Sequence, residues 1–411
     1  MNKNIILLSA NVMPYRCAFY KQLAIQSNSG FEVIFLDSWG VDNTYDPTFG
    51  EKIMWDNDDM LSFKHSFCKT RSLFKTKYSG ADKVGIERTP VIGSIFFYFR
   101  TFFGLISFDL FHSVFRKDFE IIIVEAYYNF NFIIISLLAK MKKKTLVFRG
   151  EAYFSSNKRN SIFLFFKSIF LRNFFKLFDV VCYSSSSNKE YFKAYNVPGK
   201  KLVFVPSAVD DDFFRKRVKR KGSPCNDDYF NIVGAGRFVE RKRWIDLLKA
   251  VNLISDPQIR VFLVGNGPLE GELKSYVKSE NLKGVFFPGF KNQSEITEYY
   301  NLADIIAFTS DYDPTPKVLN EALIFGLPIL VSDKIGTAKD LCVNNGYIYK
   351  CGNINDLAKK IEILKQQISI DPSKLRKASV DLSKEWTVKK GAKNLLDLLM
   401  KLSKQHHTIV L

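Results

Sequence analysis

Two α/β domains, each built on a parallel sheet with helices on both faces, are what this chain of 411 residues predicts. Three observations carry the expectation. The length exceeds what one ordinary hydrophobic core organises, so two domains of roughly 200 residues are the natural division. Short apolar runs alternate with helical patterns through both halves, as they do where parallel strands are joined by crossover helices. Between the halves the stretch RKRVKRKGSPCNDD (215–228) is charged, contains Gly and Pro and has no apolar period, so it reads as a solvated linker.

The strands expected in the first half are 4–10, 31–36, 120–124, 145–148, 180–183 and 202–205; those in the second are 230–233, 260–264, 285–287, 304–308, 328–331 and 346–349. Residues 38–60, rich in Asp, Trp and Gly, read as a long excursion loop. The domains are then 1–212, a linker 213–228, and 229–385, with a final helix in 386–411 returning to the first domain.

Apolar content of 46% with mixed charge makes the chain globular rather than disordered. Lys and Arg number 60 against 42 Asp and Glu, a net +18 that favours anionic partners such as phospholipid surfaces or phosphorylated substrates. No nucleic-acid-reading module is present, so nucleic acid is not an expected partner. The six cysteines, Cys17, Cys68, Cys182, Cys225, Cys342 and Cys351, include no CxxC pair, and the four histidines show no ligand spacing. Neither a zinc site nor a disulfide framework is expected. The segment 1–4 leads directly into the strand-like IILLSA, without the pattern of a signal peptide. Arg100 and Asp109 interrupt the most apolar stretch, 91–113, so a spanning helix is not expected either.

The 39 phenylalanines crowd into 95–119 and 161–178. In the second segment Phe163, Phe166, Phe170, Phe174 and Phe178 recur at helical spacing, Phe165 and Phe175 widen the stripe, and Lys158, Arg159, Lys167, Arg172 and Lys176 flank it. A core helix and an amphipathic helix lying in a bilayer interface both fit this pattern.

Four strand ends carry candidate chemistry. In GAGRFVERKRW (234–244) Arg237 stands at the carboxyl end of a strand, where open parallel sheets place ligands, and Lys242 follows five residues later. A guanidinium fork and an ammonium converging on one crevice suit a diphosphate. The glycines do not form GxGxxG, so no nicotinamide cofactor is read. In VFLVGNGPLEGEL (261–273) Gly265 and Gly267 permit a tight turn or close approach of a ligand. PGFKNQSEI (288–296) is a polar strand end that suits the border of a base. In DIIAFTSDYDPTPKVLNEALIFGLPILVSD (304–333) Thr315 is expected as N-cap and Pro316 as first helical residue, which aims the amides of Lys317 and Val318 at an anion. Glu321, further along that helix, suits vicinal hydroxyls, although an ordinary surface Glu is the plain alternative. Gly326 and Pro328 stop the helix. Asp311-Tyr312-Asp313 matches the DxD of metal-dependent sugar transferases, but its place after a late strand of a second parallel domain argues against that reading.

Together the segments VFVPSAVDDDFF (203–214), GAGRFVERKRWIDLLKA (234–250), VFLVGNGP (261–268), VFFPGF (285–290) and 303–333 resemble the retaining glycosyltransferases of family 4, which have the GT-B fold of two facing Rossmann-like domains. NVMPYRCAFYKQLA (11–24) also resembles a variant found in some members. The resemblance implies that Arg237 and Lys242 bind the donor diphosphate, that Glu321 holds the ribose, and that Asp313 stands where the family usually has the first Glu of its Glu-x7-Glu motif. Donor contacts would come from Gly236, Gly265, Asn266, Phe290, Thr315, Pro316, Lys317 and Val318. The usual Phe-Gly pair is here Thr315-Pro316, and proline supplies no amide. On the acceptor side stand Asn11, Tyr15, Arg16, Arg149 and Glu151; no glycine-rich loop follows the first strand, and FRGEAYF (148–154) replaces the expected histidine.

The implied activity is transfer of a sugar from a UDP- or GDP-sugar to a glycan acceptor, lipid-linked through a polyprenyl diphosphate, in bacterial surface polysaccharide synthesis. No metal is expected, and the site of action would be the cytoplasmic face of the plasma membrane, with an anionic membrane surface as partner. The rival readings are a nucleotide-sugar epimerase or phosphorylase on the same fold, or an inactive nucleotide-sugar-binding protein.

Overall fold

A computed structural model of the chain describes residues 4–27, 30–38, 41, 44–46, 51–53, 59–72, 102, 105–116, 118–154, 161–219 and 229–408. The expectations for residues 73–101, including most of the apolar stretch 91–113, and for the linker residues 220–228 lie outside the described residues.

The chain divides into two compact units, one formed by 1–184, 188–206 and 388–411 and the other by 185–187 and 207–387. In the first unit a seven-stranded sheet runs in the order Leu202–Phe204, Val180–Tyr183, Thr145–Arg149, Ile121–Val124, Ile5–Ser9, Phe31–Phe35, His65–Phe67. All neighbouring pairs are parallel. Its central strands are apolar along their whole length because both faces are covered; Ile5 to Leu8 and Ile121 to Val124 are almost wholly inaccessible. In the second unit six parallel strands run Val285–Gly289, Ile259–Val264, Phe230–Ala235, Ile305–Phe308, Ile329–Ser332, Gly346–Tyr349.

Each sheet therefore starts in its middle, winds outward to one edge, then crosses back past the first strand. This doubly wound order creates a switch point, between Ile5–Ser9 and Ile121–Val124 in one unit and between Phe230–Ala235 and Ile305–Phe308 in the other. At the carboxyl ends of these strands the following loops part in opposite directions and leave a crevice.

The expected strands are all present. The edge strand His65–Phe67 is additional, and the expected loop 38–60 contains a short antiparallel pair, Thr44–Asp46 with Glu51–Ile53. The change of unit falls at Ser207, ahead of the 213–228 expected as linker, because the helix Asp211–Arg215 sends Phe214 into the second unit against Phe325. The helix Val388–Thr408 packs on Pro14–Gln26 of the first unit, burying Val388, Ala392, Leu395, Leu396 and Leu399 along one stripe.

The phenylalanine-rich helix is Ser161–Lys176. Leu171, Phe174 and Phe175 on it, with Phe178 just beyond, join the core with Phe148 and Phe192. Leu164, Phe165, Phe166, Ile169 and Phe170 are exposed. The helix is therefore core along one part and exposes apolar side chains along another. Among the described residues no helix is long and apolar enough to cross a membrane.

Candidate functional site

At the switch point of the second unit Lys242 meets Asp313, with Gly236 beside them. Strand Phe230–Ala235 ends in Gly236 and Arg237, and a short turn, Glu240–Lys242, then folds back before the helix Trp244–Ile254. Arg243 takes the left-handed conformation (φ 51°) at that reversal and ion-pairs with Asp246. The reversal buries Lys242, whose Nζ donates to Asp313 Oδ2 at 2.6 Å and lies 4.2 Å from the centre of the Phe308 ring. Burial, reinforced by the positive charges of Arg241 and Arg237, pushes the Lys242 ammonium down to about 8 against the opposing pull of Asp313. The Arg237 charge contributes the smallest of these effects.

Asp313 is held from three sides. Lys242 bonds its carboxylate, the Arg241 guanidinium lies 3.7 Å from it while donating to the Tyr312 carbonyl at 3.0 Å, and its own carbonyl accepts from the Gly336 amide at 2.9 Å. Gly336 is required there, since a Cβ would sit 2.5 Å from the Pro314 oxygen. Arg241 was not expected at the site; it lies against Asp311 and Asp313 in space but about 70 residues away in sequence, which left no local signal.

The helix that follows is Lys317–Ile324, and its N-cap is Pro316, not Thr315. Pro316 has φ −63° and ψ 119°, the extended geometry of a cap, and a side chain that accepts no hydrogen bond, so no side chain caps the helix start. The Thr315 hydroxyl instead accepts from Lys317 Nζ at 3.0 Å. Lys317 Nζ also bonds the Ser207 hydroxyl, so that ammonium is turned toward Ser207 and Thr315. Val318 is half-buried in the first turn.

Glu321 is not a surface residue. It is buried, and its Oε2 accepts from the Tyr300 hydroxyl at 2.6 Å. Burial pushes its carboxyl up to about 7, with the Tyr300 bond and the Lys317 charge pulling the other way. Tyr300, fully buried on the helix Ile296–Leu302, has no counterpart in the expected set.

The glycines serve backbone packing first. Gly265 has φ +145°, and a Cβ on it would lie 2.1 Å from the Gly236 oxygen; one on Gly267 would lie 2.7 Å from the Phe238 oxygen. They let 265–267 run against 236–238, with Phe238 N bonded to Asn266 O at 2.7 Å. Gly236 itself faces the Lys242 ammonium, 3.8 Å from where its Cβ would stand. Phe290 is half-buried immediately after Val285–Gly289, whose last carbonyl accepts from Gly265 N at 2.9 Å.

The acceptor-side residues lie in the first unit, around a residue the sequence reading did not single out. Glu125 follows strand Ile121–Val124 directly, at that unit's switch point. Its side chain, 3% exposed, receives the Arg149 guanidinium and the Tyr20 hydroxyl, accepts from Ser9 Oγ at 3.2 Å, and has Arg16 at 3.6 Å. Arg149 also stacks on Phe19, 4.5 Å from its centre. Tyr15, beside Arg16, has its hydroxyl pKa raised by burial, with Arg16, Glu151 and Arg149 all within electrostatic range. Asn11 contributes its carbonyl, which accepts from Ser9 Oγ at 3.3 Å. An acid straight after a buried four-residue apolar strand was the available signal for Glu125. Among the described residues no group of three or more His, Cys, Asp or Glu gathers as a metal site.

Residues 215–380 match the model of the family Glycosyl transferases group 1. The chain is 30% identical over 152 residues to EpsF of Bacillus subtilis, a match covering 35% of this chain and 39% of EpsF. It is 28% identical over 142 residues to the amylovoran biosynthesis glycosyltransferase AmsD of Erwinia amylovora, covering 34% of this chain and 36% of AmsD. The chain thus spans well under half the length of these relatives. Among solved structures, Anabaena HepE in complex with UDP superposes with TM-score 0.69 at 15% identity over 97% of this chain and 100% of HepE, a likeness of fold.

Proposed function

We propose that this protein is a retaining glycosyltransferase that moves a sugar from a nucleotide-sugar donor to a glycan acceptor, carried on a lipid diphosphate at an anionic membrane surface, in the synthesis of a bacterial surface polysaccharide. The observation that carries the reading is the buried ammonium of Lys242, bonded to Asp313 at 2.6 Å at the sheet's switch point. Arg237 stands within its field, and a helix start without a side-chain cap lies one loop away. The family match over 215–380 supports it, as do the names of AmsD and of HepE, whose structures include complexes with UDP and with UDP-glucose.

In this reading the bond from the anomeric carbon to the diphosphate breaks as the acceptor oxygen forms its own bond on the same face. The electron pair leaves with the diphosphate. Arg237, Lys242 and the first amides of Lys317–Ile324 stabilise that charge. The acceptor proton passes to the departing phosphate, so no protein base is assigned. Glu321, once ionised, accepts from the ribose hydroxyls, and Asp313 contacts the transferred sugar. Lys242 and Arg241 already neutralise Asp313, which supports chemistry without a divalent ion at the DxD-like triplet.

The test is a thermal-shift panel of UDP- and GDP-sugars with chelator present. A donor at about 100 times its Kd adds roughly 2.7 kcal/mol of stability. No shift with any nucleotide sugar, or binding only with manganese, would overturn the proposal.

A further inference from the structure

We infer that the first unit docks on an anionic phospholipid bilayer through the exposed aromatic end of the helix Ser161–Lys176, entering at a tilt. The inference deepens the membrane partner of the preceding reading and rests on that reading only for why a bilayer is met at all.

One side of this helix is core: Leu171, Phe174 and Phe175 are buried. At 100° per residue, the opposite side carries Phe165, Phe166 and Ile169 in its first half and Arg172 and Lys176 in its second, while Phe170 lies at the margin and stacks on Phe174. Phe165 is 61% exposed and Phe166 64%. Phe165, Phe166 and Ile169 fall on two successive turns and face away from a core already filled with phenylalanine. A scatter of single exposed apolar residues would need no explanation, but a contiguous cluster does.

Charge chooses the occupant. Arg172 and Lys176 are exposed, and they lie about 9 and 15 Å along the axis from Phe166 at 1.5 Å per residue. On a tilted helix this sets the cations nearer the phosphates than the aromatic end. At the C-terminal end of the neighbouring helix Phe130–Met141, exposed Lys142 and Lys143 add to the positive charge of Arg172 and Lys176. The strands Ile121–Val124, Thr145–Arg149 and Val180–Tyr183 are adjacent and parallel, so right-handed crossovers place both helices on one face of the sheet. Lys140 Nζ bonds Asp179 Oδ1 at 2.8 Å and ties their ends together. An apolar cluster edged with lysine and arginine complements a phosphate-bearing surface. A second copy of the same face would set these cations against one another.

At 16 residues the helix is about 24 Å long, short of the roughly 30 Å hydrocarbon core, so it lies in the interface and does not span.

The experiment is vesicle flotation of the full chain with phosphatidylcholine alone and with added phosphatidylglycerol, alongside a Phe165→Ser/Phe166→Ser variant and an Arg172→Glu/Lys176→Glu variant. The wild type is expected to float with the anionic vesicles. The serine variant should lose at least about tenfold in vesicle affinity with an unchanged thermal midpoint. The glutamate variant should bind the two vesicle types alike. A Phe166→Trp variant reports depth through quenching by brominated lipids. Nucleotide-sugar thermal shifts are to be retained in every variant, so loss of vesicle binding and loss of donor binding remain separable. Equal flotation of wild type and serine variant overturns the proposal, as does a wild-type dimer that the serine variant converts to monomer without any flotation.

Discussion

The two units place opposite charges at equivalent points of one topology. At the switch point of the second unit the buried centre is a cation, Lys242, with a carboxylate and a second cation set around it. At that of the first unit the buried centre is a carboxylate, Glu125, with two guanidiniums and a phenol converging on it. The strand order fixes where the loops part, and the residues those loops carry decide the charge there. Lys242 has one carboxylate to pair with, and in the proposed function it also meets the incoming diphosphate. Glu125 is surrounded by more donors than its two oxygens need, and its first task is to hold Arg16 and Arg149 in place.

That contrast is most directly broken by deleting each centre. Glu125→Ala leaves two guanidiniums facing each other in the interior and is expected to reduce stability by about 3–5 kcal/mol, read by denaturant unfolding, with nucleotide affinity preserved in whatever remains folded. Lys242→Ala should do the reverse. Its ammonium is already disfavoured by burial, and Arg241 stays near Asp313, so the stability change is small; turnover should fall about 100-fold or more in a donor-hydrolysis or transfer assay. If both substitutions act through stability alone, the two centres are equivalent and the contrast fails.

Gly265→Ala probes the backbone beneath the second centre. The added methyl meets the Gly236 oxygen at a φ that side chains avoid, and a loss of about 2 kcal/mol is expected in thermal unfolding. Tyr300→Phe sharpens the comparison further. The Tyr300 hydroxyl stabilises ionised Glu321, so its removal costs about 1 kcal/mol and raises the Glu321 pKa above about 7. The smallest effect is in the wild type with pH. Donor binding needs Glu321 ionised, which holds above about 7, and Lys242 protonated, which holds below about 8. Affinity measured by calorimetry should therefore peak between these values, fall on both sides, and in Tyr300→Phe lose its acid limb first.

Much of this was readable without coordinates, for a physical reason. Central strands of a parallel sheet are apolar without alternation, so runs such as Ile121 to Val124 announce themselves, whereas His65–Phe67 is a short edge with half-exposed residues and no such run. Arg237, Lys242 and Glu321 were legible because strand ends and helix starts are local features. Arg241, Tyr300 and Glu125 were not, because each acts on a partner far along the chain, where only the fold supplies the pairing. Thr315 was misplaced by one residue: Ser or Thr before Pro is the usual cap, but Pro316 here takes extended geometry and the threonine turns to Lys317. The phenylalanine helix showed the limit of periodicity, which reports that a stripe exists and not how much of its length the core reaches.

The helix Val388–Thr408 closes the first unit against Pro14–Gln26, and Gly391 lets it approach until a side chain there would touch Val205, Pro206 and Phe19. During synthesis, then, the unit that begins first is finished last. Residues 207–387 form an uninterrupted stretch that can fold as it leaves the ribosome, while the opening 200 or so residues wait with the groove for Leu395, Leu396 and Leu399 uncovered. A stop codon near 388 would leave the later unit whole and strand the earlier one with an open seam.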